Sequence, residues 1–88
     1  MRLDQYLKLS RLIRQRSLAK QACEGGRVSI LGRRARAGTE VRVGDEIILN
    51  LRDRFLRVQV VEVPTGNVSK DRARTLYEVL EERNASSF

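Results

Sequence analysis

The chain has 88 residues, of which 18 are Lys or Arg and 11 are Asp or Glu, for a formal charge of +7. That length suits one domain of modest core and leaves little room for a separate catalytic unit, while the basic balance favours a polyanionic partner, nucleic acid ahead of an anionic membrane surface. No His, a lone Cys23 and no apolar run near the roughly 20 residues of a bilayer span argue against a metal centre, an internal disulfide and a membrane segment.

The N-terminus opens on Arg2 and Asp4 without the apolar core of a signal peptide, so a cytoplasmic protein is expected. From Leu3, the spacing of Leu3, Tyr6 and Leu7 predicts a helix of about two turns ending near Ser10, with Lys8 and Arg11 on its polar side. After Arg14-Gln15-Arg16, a second helix is expected with Ser17 as its cap, Leu18, Ala19, Ala22 and Cys23 as its apolar face and Gly25-Gly26 as its stop. The period then changes. Val28-Ser29-Ile30 alternates as a strand does and Gly32 breaks it; Val41 and Val43 alternate up to a Gly44-Asp45 turn. Ile47 to Leu51 and Phe55 to Val63 predict two further strands joined across Arg52-Asp53-Arg54. Pro64-Thr65-Gly66-Asn67 closes the sheet. From Lys70 to Arg83, Ala73, Leu76, Tyr77 and Leu80 share one helical face, which predicts a C-terminal helix. Glu81 and Glu82 near its end oppose the helix dipole, so fraying there and a disordered tail over 84–88 are expected.

Charge is concentrated at one end. Met1 to Arg36 holds ten basic residues against Asp4 and Glu24, or +8, whereas the other 52 residues hold eight basic and nine acidic groups, or −1. The polyanion site is therefore expected in the first forty residues. Nothing points to catalysis: there is no His, no Gly-rich phosphate loop and no Ser or Cys beside a base. Neither an enzyme nor a cofactor site is expected.

Arg2-Leu3-Asp4-Gln5-Tyr6-Leu7, Ser10-Arg11-Leu12, Arg16-Ser17-Leu18-Ala19, Ala22, Gly26-Arg27-Val28 and Val43-Gly44-Asp45 resemble, in order and spacing, the pattern of the S4 RNA-binding domain family over Met1 to about Leu51. The resemblance implies an α+β, S4-type (alpha-L) fold: two short N-terminal helices packed on a small twisted, mainly antiparallel sheet, here with a C-terminal helix. It divides the chain into an S4 domain with a strand extension over 1–63, a linker and helix over 64–83 and the tail over 84–88. Leu3, Leu7, Leu12, Leu18 and Ala22 would bury the helices against the sheet, leaving the arginines for RNA. In length and in its C-terminal additions the chain is similar to the short free S4 proteins of ribosome-associated quality control and the related heat-shock S4 proteins. What this implies is a monomeric factor that binds obstructed large ribosomal subunits, contacts ribosomal RNA and peptidyl-tRNA together, and supports alanine tailing of the stalled chain with a tailing-factor protein. No membrane partner is implied.

The candidate RNA-binding residues are Arg2, Lys8, Arg11, Arg14, Arg16, Lys20, Arg33 and Arg34, with Arg2 and Arg16 foremost because they fall on motif positions. Guanidinium forks suit phosphate oxygens and also stack on splayed bases. Arg33, Arg34 and Arg36 divide evenly between a second phosphate contact and a solvated loop. Asp4 either holds an arginine in place or favours the first helix's N-terminus, the second being preferred. Ser10 and Ser17 read as caps, Tyr6 and Tyr77 as core, Cys23 as a small buried hydrophobe. One departure from the family stands before Gly32, where Asn is common and this chain has Leu31: either the turn is of another type or Leu31 takes a strained left-handed backbone. Two other functions stay open, an S4 accessory for a different structured RNA and a basic nucleoid-type DNA or protein-interaction module.

Overall fold

A computed structural model describes residues 1–84. Two helices, α1 (Leu3–Leu9) and α2 (Arg16–Glu24), precede strands β1 (Val28–Ile30), β2 (Arg33–Arg34), β3 (Glu46–Asn50) and β4 (Arg54–Val60), a single turn α3 (Lys70–Ala73) and strand β5 (Tyr77–Asn84). The strands form one antiparallel sheet in the order β2-β1-β3-β4-β5. One face carries the core. Ile47, Leu49, Leu56, Val58 and Val60 from the sheet pack with Leu3, Tyr6 and Leu7 of α1 and Ala19 and Cys23 of α2, all essentially removed from water. At roughly 1.5–3 kcal/mol for each large apolar side chain, this burial is what holds the helices down. Leu18 departs from expectation, standing 45% exposed.

α2 begins two residues earlier than the sequence predicts. Gln15 is its N-cap with no side-chain cap bond, and Ser17 lies inside the first turn. Ser10, by contrast, does sit at the end of α1, where its hydroxyl donates to the Leu7 carbonyl at 3.2 Å. The N-terminal residues are tied down by the backbone, since the Leu3 N–H donates to the Thr39 carbonyl and Val41 N–H to Met1. Val41 is buried there and Val43 is 65% exposed, so the expected alternation yields only the Arg2–Glu40 bridge.

Leu31 and Gly32 link Ile30 to Arg33 with φ of 52° and 81°. Two left-handed residues in a two-residue connection are the mark of a type I′ hairpin turn. Leu31 thus takes the strained conformation at a cost of about 1 kcal/mol. Its N–H donates to the Glu46 carbonyl at 2.9 Å, and its side chain is exposed.

The C-terminal helix is a correction. Helix is confined to Lys70–Ala73, capped by the Ser69 hydroxyl accepting from the Arg72 N–H, and Tyr77–Asn84 runs as an edge strand on β4. Ala73, Leu76, Tyr77 and Leu80 do repeat at helical spacing, but β4 offers a free edge whose backbone groups require partners. Pairing sets Tyr77 against Val60, Val79 against Val58 and Glu81 against Arg57, with an irregularity between Arg57 and Val58 absorbing the extra residue. As a strand, the segment also escapes the dipole penalty on Glu81 and Glu82. Asn84, assigned to the tail, pairs with Arg54; the rest of that assignment, 85–88, lies outside the described residues.

Candidate nucleic-acid interface

Asp4 organises the basic end. Its carboxylate is almost wholly buried, yet it accepts from Arg2 Nε on one oxygen and Arg16 Nε on the other, each at 3.2 Å, and from the Gln5 N–H at 2.9 Å. Burial works against its charged form, but the hydrogen bonds from Arg2 and Arg16, the Arg16 charge and the Gln5 N–H outweigh it and hold its pKa below the usual carboxylate value. Both guanidinium groups are about half exposed. Because each spends only Nε on Asp4, its terminal nitrogens keep no protein partner among the described residues. Two arginines are thereby fixed side by side with their phosphate-binding edges outward. The sequence reading preferred the helix-terminus role for Asp4. It does lie in the first turn of α1, but it holds the two arginines as well.

Arg2 also borders an open groove of about 660 Å³ lined by Lys20, Cys23, Glu24, Arg34, Arg36, Ala37 and Gly38. The elements that build it follow from local chemistry. Gly26, at φ 75°, turns the chain from α2 into β1 and leaves space for the Arg34 side chain; Arg34 then donates to the Glu24 carbonyl at 2.6 Å, at the C-terminal end of α2. Four cations against one carboxylate give this surface an excess of positive charge, which favours anions. Burial, with the Asp4 and Glu24 charges adding, pushes the Cys23 thiol up to about 11, so at neutral pH it is a protonated part of the wall.

Lys8, Arg11 and Arg14 assemble elsewhere. They line a second groove, of about 510 Å³, together with Leu9, Asn67 and Val68. Arg2 caps the start of α1 and Lys8 lies in its last turn, so the two grooves are separated by about the 10 Å length of a seven-residue helix. Arg11 follows the C-cap Ser10 with φ 60° and its N–H donating to the Lys8 carbonyl. A left-handed arginine costs roughly 1–2 kcal/mol that glycine would not.

Most of the candidate residues therefore gather around two grooves instead of one. Arg2, Arg16, Lys20 and Arg34 gather at one end of α1, with Arg36 beside them, and Lys8, Arg11 and Arg14 at the other. Arg33, on the β1–β2 hairpin, lines neither. Asn67 was missed. It arrives from a loop remote in sequence, and its only local signal, the Pro64-Thr65-Gly66-Asn67 run, announces a turn. A third concavity, lined by Leu12, Ile13, Leu18, Ala22, Leu51 and others between Arg27 and Arg52, accounts for the exposure of Leu18.

Comparison with known proteins agrees with this fold. The S4 domain family profile matches residues 1–47. A protein of Halalkalibacterium halodurans named RQC P-site tRNA stabilizing factor is 45% identical over 98% of this chain and 97% of its own. Its Bacillus subtilis namesake is 42% identical over 93% and 94%. Among solved structures, the trimeric Heat Shock Protein 15 of Vibrio cholerae superposes with a TM-score of 0.81 at 30% identity, covering 90% of this chain and 80% of that one. With the motif, the fold and full-length relatives in agreement, the chain belongs to the S4 domain family.

Proposed function

We propose that the chain is an RNA-binding, non-catalytic factor of ribosome-associated quality control that acts in the cytoplasm. It grips the obstructed large subunit through ribosomal RNA and peptidyl-tRNA and supports a tailing factor that adds alanines to the stalled chain. The observation that carries the reading is the Arg2–Asp4–Arg16 arrangement, in which one buried carboxylate orients two half-exposed guanidinium groups. Such an arrangement reads shape and charge, since phosphate contacts position without specifying bases. Relatives matching nearly the whole chain and named for stabilising a P-site tRNA support the same conclusion. The residues lining each groove come from one copy, which supports a monomer, although the Vibrio cholerae neighbour was solved as a trimer.

The test is affinity recovery from lysate with the wild-type chain and an Arg2→Ala/Arg16→Ala variant in parallel, followed by RNA and protein identification. Large subunits carrying tRNA, recovered by the wild type alone, are the expected result. Recovery of another RNA, or equal recovery by the variant, discards the quality-control assignment. Equal competition by duplex DNA, which lacks the 2′-hydroxyls and shallow minor groove of A-form RNA, counts against RNA specificity altogether.

A further inference from the structure

We infer that the groove at the C-terminal end of α1 is a pocket for a single unstacked RNA nucleotide, which the Lys8, Arg11 and Arg14 charges hold by its phosphate and Asn67 reads by its base edge. The inference rests on the RNA-binding reading above and adds a kind of contact that reading does not contain.

The lining is what separates this groove from a plain phosphate cradle. Lys8, Arg11 and Arg14 bring three cations with no carboxylate among the lining residues, and none of the three forms an ion pair among the described residues. That suffices for a phosphate. Leu9 and Val68 do not belong in such a cradle, because a phosphodiester offers nothing to an aliphatic side chain, and although the Asn67 amide can donate to a phosphate oxygen, its carbonyl would find no donor there. A nucleobase offers both: its face lies against apolar side chains and its edge pairs with an amide. Volume agrees with this occupant. About 510 Å³ falls in the range of pockets that enclose small ligands, whereas an A-form duplex presents a wide shallow groove and a backbone, not a protruding group.

Arg11 supplies a second, independent indication. Its backbone is left-handed at φ 60° directly after α1, where glycine would end the helix without strain. Strain of this kind clusters at functional positions, and Arg11 lines this groove. Asn67 and Val68 come from the loop between β4 and α3, so the pocket exists only when the C-terminal part is folded against the helical motif. Val68 also packs on the core, which fixes that loop in place.

The experiment is fluorescence anisotropy of the full chain with an end-labelled RNA hairpin, fully paired or carrying one bulged nucleotide in each of its four base identities. The wild type is expected to bind bulged hairpins at least fivefold more tightly than the paired one, with at least a threefold spread among the four bases. Asn67→Ala should abolish the spread. Arg11→Gly, which relieves the backbone, should lose the preference for the bulge without lowering the melting temperature. Equal binding of bulged and paired hairpins by the wild type overturns the pocket and leaves the RNA-binding reading standing. Binding to neither overturns both, and an undiminished base spread in Asn67→Ala overturns the role of that amide.

Discussion

Arg57 and Arg83 on the outer face of the sheet and Arg2 and Arg16 beside α1 all touch carboxylates, and the difference lies in which partner is buried. On the sheet, Arg57 lies between Glu46 at 2.9 Å and Glu81 at 3.6 Å, Glu81 also meets Arg83 at 3.2 Å, and every member is partly exposed. Arg83 further covers the Phe55 ring at 4.4 Å. These charges neutralise one another within the chain. At the helical end, one carboxylate with 3% of its side chain exposed serves two arginines, leaving a net positive charge directed at solvent. The same residue type joins strands in one region and is left facing solvent with excess positive charge in the other.

The largest effect that would break this contrast is on binding. Arg16→Ala should weaken RNA affinity by about 1 to 3 kcal/mol, the scale of contacts to charged groups, while Arg57→Ala changes it little; equal losses in a filter-binding assay would erase the distinction. For the wild type, neutralising about four to six phosphates predicts a slope of log affinity against log salt of roughly −3 to −5. A flat salt dependence would remove the electrostatic basis of both grooves.

Asp4→Asn is expected to cost about 1–2 kcal/mol in stability, because the amide cannot replace two charge-assisted bonds, and to weaken RNA binding as Arg2 and Arg16 lose their fixed orientation. The sign with pH follows from the lowered pKa of Asp4. Its stabilisation is present above the unfolded value of about 3.9 and is lost as pH falls through the folded value below it. Acid titration of the wild type should therefore show an unfolding component that Asp4→Asn lacks. Smaller still, Leu31→Asn should raise stability by up to about 1 kcal/mol by relieving the left-handed backbone at an exposed side chain. Thermal melts showing no gain would mean the hairpin relaxes by other means. On the sheet face, Arg57→Ala should change the melting temperature least of all, because partly exposed ion pairs contribute little to stability.

How far these features can be read in the sequence depends on how local their causes are. Both N-terminal helices, the Gly25-Gly26 stop and the β3–β4 hairpin follow from spacing and turn chemistry within a few residues. The strain at Leu31 was legible only as one of two alternatives, because the S4 pattern commonly has Asn before Gly32 and another turn type would have avoided it; the φ of 52° decides for strain. β5 was not, since its residues fit a helical period and only the free edge of β4 decides against it. Two glutamates at the wrong end of a helix were the available hint. The basic residues themselves were visible, but their division between two grooves was not: it depends on Asn67 and Val68 on one side and Ala37 and Gly38 on the other, brought in by long-range packing.

The carbonyl of Leu76 accepts from the Tyr6 hydroxyl at 2.7 Å and from the Val61 and Glu62 N–H groups at 2.8 and 3.0 Å. The Tyr6 bond spans 70 positions of sequence, so it closes a loop nearly as long as the chain, and the entropy of closing that loop predicts that it forms after the local hairpins and helices, as a late latch. Tyr6→Phe should leave the folding rate almost untouched and accelerate unfolding instead, making one buried hydroxyl a control on how long the C-terminal strand stays joined to the N-terminal helices.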